Sequence, residues 1–204
     1  MNNFNLHTPT RILFGKGAIE KLREQIPAEA RVLITYGGGS VKKTGVLDQV
    51  LTALNGLDVL EFGGIEPNPS YETLMNAVKL AREEKVTFLL AVGGGSVLDG
   101  TKFIAAAAHY DADIDPWEIL ETYGSKIASA IPMGSVLTLP ATGSESNKGA
   151  VISRKTTGDK RAFMSSHVQP QFAILDPVYT YTLPPRQVAN GVVDAFVHTV
   201  EQYV

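Results

Sequence analysis

LLAVGGGSVLDGTK, residues 89–102, carries most of the information about the fold. An apolar run typical of a buried strand, residues 88–92, leads into three consecutive glycines and Ser96, and a helical pattern follows from Val97 to Ala108. Glycines let backbone N–H groups approach a ligand closely, and the start of a helix adds partial positive charge there. The stretch predicts either a phosphate-binding turn or a plain glycine-rich turn between a strand and a helix.

Three better-known glycine motifs do not match this stretch. Leu98 stands where the dinucleotide fingerprint and the nucleophile elbow each need a final glycine. Thr101 precedes Lys102, which reverses the order that a P-loop requires. If the turn binds phosphate, it is a different kind of phosphate loop.

The pattern of a strand, GGGS and a helix also occurs earlier, where RVLITY at 31–36 runs into GGGS at 37–40. Strands and helices of crossover length alternate around both copies, which predicts an α/β fold with a doubly wound, Rossmann-like parallel sheet. Both glycine loops then lie at the carboxyl edge of the sheet, where one extended ligand can touch both, and this favours a dinucleotide. The predicted strands are 11–14, 31–36, 58–62, 88–92, 136–139 and 172–175, and the predicted helices are 15–25, 46–54, 70–85, 97–108 and 183–204.

The first glycine loop indicates which dinucleotide is bound. Folds that prefer NAD usually place an acidic side chain near the end of an early strand, where it binds the ribose 2′-hydroxyl. Here that position offers glycines, Ser40, Lys42 and Lys43, which suit a 2′-phosphate and therefore NADP(H). The alternative is that the two lysines are solvated surface charges.

Three segments after residue 135 carry polar side chains that are candidates for binding a ligand or a metal ion. PATGSESN at 140–147 follows a predicted strand, and it is either a solvated loop or a loop that hydrogen-bonds a nicotinamide and its ribose. Residues 149–154 and 161–164 predict a β-hairpin whose second arm Lys160 starts. In the last predicted helix, Asp194 and His198 lie four residues apart on one face, where they form either half of a divalent metal site or a surface hydrogen bond.

The composition excludes several classes of function. Lys and Arg number 18 and Asp and Glu 21, which gives a net charge of −3, without a basic patch that could track nucleic acid. The chain has no cysteine, and neither its N-terminal stretch nor any later run approaches a signal peptide or a membrane span. We expect a soluble cytoplasmic protein without a nucleic-acid or membrane partner.

Taken together, GGGSVLDGTK (93–102), TLPATGSESN (138–147), Lys160, LDPVYTYTLPPRQ (175–187) and GVVDAFVHTVEQY (191–203) resemble the iron-containing (group III) alcohol dehydrogenase family. The likeness is to its NADPH-dependent butanol dehydrogenase and aldehyde reductase branch. It implies a dinucleotide-binding domain at 1–182, followed at 183–204 by the first helix of an all-helical metal-binding domain. It further implies metal-assisted hydride transfer between NADP(H) and an aldehyde or primary alcohol, a bound iron, zinc or manganese ion, and a homodimer.

The resemblance also implies a role for individual residues. The cofactor residues it implies are Gly38 and Ser40 for the 2′-phosphate, Gly94, Gly95, Ser96 and Asp99 for the pyrophosphate and ribose, and Thr138, Thr142, Asn147, Gly149, Lys160 and Tyr179 for the nicotinamide side. Asp194 and His198 match two metal ligands, and the remaining two, both histidines, are expected in a further stretch of chain beyond residue 204. Because the helical pattern runs to Val204, we expect a truncated or proteolysed chain.

Two other functions fit the same residues. The chain as written can be a non-catalytic NADP(H)-binding fragment, because two protein ligands rarely hold a catalytic metal. It can also be an enzyme of the related glycerol dehydrogenase and dehydroquinate synthase group, where a similar loop occurs. A polar substrate of the latter kind needs basic side chains in the cleft, and Lys160 is the one obvious candidate.

Overall fold

The computed structural model describes residues 7–204, so the first six residues of the predicted domain 1–182 lie outside it. The strands are β1 (Arg11–Phe14), β2 (Arg31–Tyr36), β3 (Asp58–Phe62), β4 (Phe88–Gly94), β5 (Met133–Leu139), β6 (Gly149–Arg154), β7 (Asp159–Met164) and β8 (Phe172–Leu175). The α-helices are α1 (Ser40–Lys43), α2 (Val46–Ala53), α3 (Tyr71–Glu83), α4 (Gly95–Ala108), α5 (Glu118–Glu121) and α6 (Pro185–Val200). Short 3₁₀ helices cover Ala18–Lys21, Arg23–Gln25, Ser166–Val168 and Pro177–Thr180.

The centre of the fold is a six-stranded sheet in the order β1-β8-β5-β4-β2-β3, and its strand pairs are parallel. Side chains of β4 alternate between two apolar cores. Leu89 and Ala91 face the core that contains α3 and α4, whereas Leu90 and Val92 face the core that contains α2. Helices thus cover both faces of the sheet, and the predicted doubly wound, Rossmann-like architecture is confirmed.

The predicted hairpin is confirmed as the antiparallel pair β6 and β7, with Lys160 in the second strand. The start of α3 is confirmed as well, because the Ser70 hydroxyl accepts a hydrogen bond from the Thr73 N–H. α6 contains the predicted pair Asp194 and His198. No helix among residues 7–204 is long and apolar enough to cross a membrane.

Several boundaries differ from the prediction; for example, β5 begins at Met133 rather than residue 136, and α6 begins at Pro185 rather than residue 183. Residues 15–25 form two 3₁₀ turns rather than one α-helix, because Gly17 has a left-handed backbone (φ 78°) and Pro27 follows closely. α4 begins at Gly95 rather than Val97, since β4 continues through Gly94. The α-helical pattern predicted to reach Val204 ends at Val200, and a turn follows.

Candidate nucleotide and metal site

The two glycine loops lie side by side at one edge of the sheet. β2 and β4 are neighbouring parallel strands, with Tyr36 opposite Val92, so the loops 37–40 and 93–96 leave the sheet at adjacent strand ends. This confirms the predicted juxtaposition. No atom lies within 4 Å of the position that a Cβ would take on Gly38, so the first loop is sterically open there. Gly39 (φ 105°) precedes α1, which begins at Ser40.

The second loop is more tightly packed. A Cβ on Gly93 would lie 2.7 Å from Val97 Cγ2, and a Cβ on Gly95 would lie 2.7 Å from Thr142 Oγ1. Glycine at 95 therefore allows the close approach of α4 to residues 140–147, which we call the threonine loop. Ser96, in the first turn of α4, accepts a hydrogen bond from the backbone N–H of Asn68 at 3.4 Å. Backbone N–H groups at the start of this 14-residue helix suit an anion.

Lys42 is not a free cation beside the first loop. Its Nζ lies 3.8 Å from Glu61 Oε2 and 4.9 Å from the centre of the Tyr36 ring. The hydrogen bond and charge from Tyr36, with the charge of Glu61, raise the pKa of Lys42. A 2′-phosphate at Ser40 would therefore compete with Glu61 for this lysine. For Lys42, this contact supports the alternative in which the lysine is a surface charge. Lys43 is exposed.

Polar side chains of α4 bind the loop that follows β5. Both carboxylate oxygens of Asp99 are used, because Oδ1 accepts from Ser144 Oγ at 2.7 Å and Oδ2 accepts from the Val151 N–H at 3.0 Å. Burial raises the pKa of Asp99. Lys102 donates to Ser144 Oγ, Asn147 Oδ1 and the Gly149 carbonyl at 2.8–2.9 Å. The threonine loop is therefore held by hydrogen bonds to side chains of α4 rather than freely solvated.

Thr138 stands at an irregularity between β4 and β5. Gly93 pairs with Leu137 and Gly94 pairs with Leu139, so Thr138 is the extra residue of β5 between two ladder pairs. Such a bulge turns the strand and redirects a side chain. It occurs at the point where the second glycine loop meets the threonine loop.

Lys160 reaches the second glycine loop through a residue that our sequence analysis did not single out. Its Nζ donates to Asn68 Oδ1 at 2.9 Å, and the Asn68 N–H donates to Ser96. Asn68 has a left-handed backbone (φ 55°) between two prolines, and the PNP triplet at 67–69 is the signal that could have found it. The structure thus links Lys160 to the predicted phosphate turn.

Tyr179 lies in the 3₁₀ helix after β8 and is buried. Its hydroxyl donates to Gln49 Oε1 in α2 at 3.0 Å. Burial, with a contribution from Asp176, raises the pKa of Tyr179 to about 12. This contact ties Tyr179 to α2, and its assignment to the nicotinamide side stays a prediction.

The predicted metal pair lies next to the threonine loop. His198 Nε2 is 3.7 Å from Asp194 Oδ1, and His198 Nδ1 is 3.0 Å from Glu201 Oε1. Asp194 and Thr142 line one cavity of about 550 Å³. Both side chains are partly exposed, and their oxygen and nitrogen donors fit a divalent ion. Among the described residues, however, no group of three or more His, Cys, Asp or Glu could hold a metal, so the assignment of this pair as metal ligands stays a prediction.

Adjacent glycine loops at the carboxyl ends of parallel strands define the class of fold: this is an open, doubly wound α/β domain, a class that places its ligands at this edge of the sheet. Residues 9–177 match the model of the family described as iron-containing alcohol dehydrogenase, and the chain belongs to that family. The resemblance in the motifs is thereby confirmed.

Several relatives align with this chain over its full length. It is 87% identical over 204 residues to the NADPH-dependent aldehyde reductase YqhD of Escherichia coli, covering 100% of this chain and 53% of that protein. It is 47% identical to NADP-dependent alcohol dehydrogenase 3 of Entamoeba histolytica, covering 100% and 54%. A crystal structure of YqhD superposes with a TM-score of 0.97 at 86% identity, covering 98% of this chain and 52% of that one. The chain spans about half the length of the curated relatives it matches.

Proposed function

We propose that this chain is the NADP(H)-binding part of an alcohol dehydrogenase or aldehyde reductase, which transfers hydride between the nicotinamide and an aldehyde or primary alcohol. The observation that carries the proposal is the position of the two glycine loops at adjacent strand ends, where one dinucleotide spans both. The names of the relatives at 87% and 47% identity support the same chemistry.

The preference for NADP(H) over NAD(H) rests on the first loop. No acidic residue follows β2 before α1, and the space beside Gly38 is open. Backbone N–H groups and the Ser40 hydroxyl can donate to a 2′-phosphate, whereas a carboxylate would repel it. Relatives at 42–47% identity include butanol dehydrogenases named as NADH-dependent, so the cofactor given in the name differs among similar chains.

Each part of the site has a separate task in this proposal. The N-terminus of α4 with Gly95 and Ser96 binds the pyrophosphate, and the loop 138–149 orients the nicotinamide ring. Asp194 and His198 would hold a divalent ion, which supplies Lewis-acid polarisation of a carbonyl oxygen when it is bound. Iron, zinc and manganese all accept such ligands. We place the complete enzyme in the cytoplasm as a homodimer that acts on small aldehydes or alcohols, without a nucleic-acid or membrane partner.

Calorimetric titration of the chain with NADPH and with NADH tests the cofactor. We expect NADPH to bind at least tenfold more tightly, which corresponds to about 1.4 kcal/mol. Equal affinities would contradict the assignment of the 2′-phosphate site, and failure to bind either nucleotide would contradict the proposed function.

A second candidate function is nucleotide binding without catalysis. It is favoured by the incomplete metal site, since Asp194 and His198 are two donors where three protein ligands are usual. This candidate shares the NADP(H) site and differs in predicting no turnover by the 204-residue chain.

A further inference from the structure

A buried ammonium group lies beneath the threonine loop. Lys102 is 0% exposed, although lysine is almost never fully buried unless it is partnered. Its Nζ donates to Ser144 Oγ at 2.9 Å, to Asn147 Oδ1 at 2.8 Å and to the Gly149 carbonyl at 2.8 Å. All three donors of the ammonium group are therefore used, and all three acceptors lie in one short segment, residues 144–149.

These bonds fix which end of the Asn147 carboxamide faces inward. Oδ1 accepts from Lys102 Nζ and also from the Gly149 N–H at 3.0 Å. Because both partners are donors, the oxygen and not the nitrogen has to face them. Asn147 itself is exposed, and within residues 7–204 the structure gives its Nδ2 no acceptor. The free end of this side chain is thus a hydrogen-bond donor.

We propose that Lys102 is a positioning residue, which fixes the Asn147 carboxamide so that Nδ2 offers a hydrogen bond to the carboxamide oxygen of a bound nicotinamide. This inference rests on the NADP(H) function proposed above. Asp99, three residues earlier in α4, acts on the same segment, since its carboxylate holds Ser144 and the Val151 N–H. α4 therefore joins the phosphate turn at its N-terminus to the loop that faces the ring.

A charge at this position is not explained by packing alone. Burying an ammonium group costs desolvation free energy, and an apolar side chain of similar volume would fill the same space without that cost. An apolar residue would, however, leave the Gly149 N–H as the one remaining partner of Asn147 Oδ1 among those described above, so the carboxamide would be held less firmly. Orientation of the carboxamide is the property that the lysine adds.

Lys102→Met tests this role, because it removes the ammonium group and nearly keeps the volume. We expect the affinity for NADPH to fall at least tenfold. The affinity for adenosine 2′,5′-bisphosphate, which lacks the nicotinamide and its ribose, should change less than twofold. No loss for NADPH, or an equal loss for both ligands, would overturn the proposal, since a general structural role affects both.

Two variants of Asn147 show whether Lys102 acts through it. Asn147→Ala should weaken NADPH binding as Lys102→Met does and leave the affinity for adenosine 2′,5′-bisphosphate nearly unchanged. Adding Lys102→Met to Asn147→Ala should weaken NADPH binding by less than about a further twofold. Asn147→Asp keeps an oxygen for Lys102 but removes the donor, and this exposed position should tolerate it without a loss of melting temperature. Should Lys102→Met fail to fold, wild-type NADPH affinity in Asn147→Asp would still refute the proposal.

A measurement without nucleotide separates this inference from the proposed function. In Lys102→Met, amide hydrogen exchange at Gly149 should accelerate tenfold or more, because its acceptor Asn147 Oδ1 is no longer held. Exchange at Ser153, whose N–H donates to the Pro69 carbonyl and not to Asp99 or Asn147, should not change and serves as the internal control. Unchanged exchange at Gly149 would overturn the role of Lys102. If the wild type binds no NADPH while Gly149 responds, the proposed function fails and the positioning of Asn147 stands.

Discussion

At the scale of single residues, Gly38 is the position where the choice of cofactor can be changed. A side chain there enters open space, so substitution should not disturb the fold. We expect Gly38→Asp to reduce the ratio of NADPH to NADH affinity at least tenfold, because a carboxylate repels a 2′-phosphate and can accept a hydrogen bond from a 2′-hydroxyl. Titration with both nucleotides measures the ratio.

Gly38→Asn is the matched control, since it has nearly the same shape without the charge. It should keep most of the preference for NADPH. If Asn and Asp shift the ratio equally, the effect is steric and the electrostatic explanation is wrong.

Lys102 provides a second prediction at this scale, on the dependence of stability on pH. Burial lowers its pKa from the usual 10.5 to about 8, although the charges of Asp99 and Glu145 oppose the shift. Between those two pKa values the unfolded state binds more protons than the folded state, so stability rises with pH. Relative to Lys102→Met, we expect the wild-type free energy of unfolding to gain roughly 1 kcal/mol per pH unit from pH 8 to pH 10.

Urea denaturation of both proteins at pH 7, 8, 9 and 10 measures this difference. The comparison with Lys102→Met cancels the titration of groups that the two proteins share. A difference that stays constant with pH would show that Lys102 does not lose its proton in this range.

The position of the two glycine loops could be predicted from the sequence because each lies at the end of a buried apolar strand. Lys102 could not be assigned a role, since a lysine is expected to be exposed. The available signal was its place in α4, where apolar and small residues surround it on the helix. Its three acceptors come from a segment more than forty positions later, and no local pattern reveals that contact.

At the scale of elements, the pairing of β5 with β8 depends on a glycine. A Cβ on Gly134 would lie 2.2–2.7 Å from ring atoms of Phe172, which is fully buried and stacks on Phe88 at 6.1 Å. We expect Gly134→Ala to destabilise the protein by about 1–3 kcal/mol, because a packed core does not accommodate an added methyl group. Thermal unfolding measures the loss.

Adding Phe172→Leu to Gly134→Ala should restore part of the stability, since leucine lacks the ring atoms that would overlap with the added methyl group. Gly149→Ala is the control, because the nearest atom to its Cβ position is 3.8 Å away. An unchanged melting temperature in Gly134→Ala would contradict the predicted contact.

α6 carries the prediction on the metal. Removal of either member of the Asp194 and His198 pair should abolish retention of a divalent ion by the complete enzyme, because the proposed site would lose one of its two ligands from this chain. Metal content after dialysis of Asp194→Ala and His198→Ala measures this. Glu201→Gln is the control. Glu201 contacts Nδ1 of His198, whereas the nitrogen of His198 that lies nearer Asp194 is Nε2. Wild-type metal content in His198→Ala would disprove the assignment.

The strands were easier to predict than the boundaries between elements. Buried apolar runs such as 31–36 and 88–92 have one stable environment, the interior of a parallel sheet. The 3₁₀ turns at 18–25 and the bulge at Thr138 arise from competition between local backbone geometry and packing on neighbouring strands. Hydrophobic periodicity does not report that competition.

At the scale of the whole molecule, nucleotide binding and catalysis should separate. We expect the 204-residue chain to bind NADPH but not to reduce butanal when iron, zinc or manganese is added, since its metal pair is incomplete. The absorbance of NADPH, followed over about one day, measures its consumption and therefore turnover. The nucleotide titration shows that the chain used in this assay is folded. Metal-dependent turnover would contradict the binding-only candidate.

The position of β1 in the sheet has a consequence for biosynthesis. β1 is made first but pairs with β8, and Arg11 lies opposite Phe172. At roughly 5–20 residues per second, a ribosome needs about 10–30 s to extend the nascent chain from one strand to the other. During translation the segment that contains Ile12 and Phe14 therefore waits as an unpaired apolar edge, open to chaperones and to neighbouring nascent chains, until almost the whole sheet has been translated.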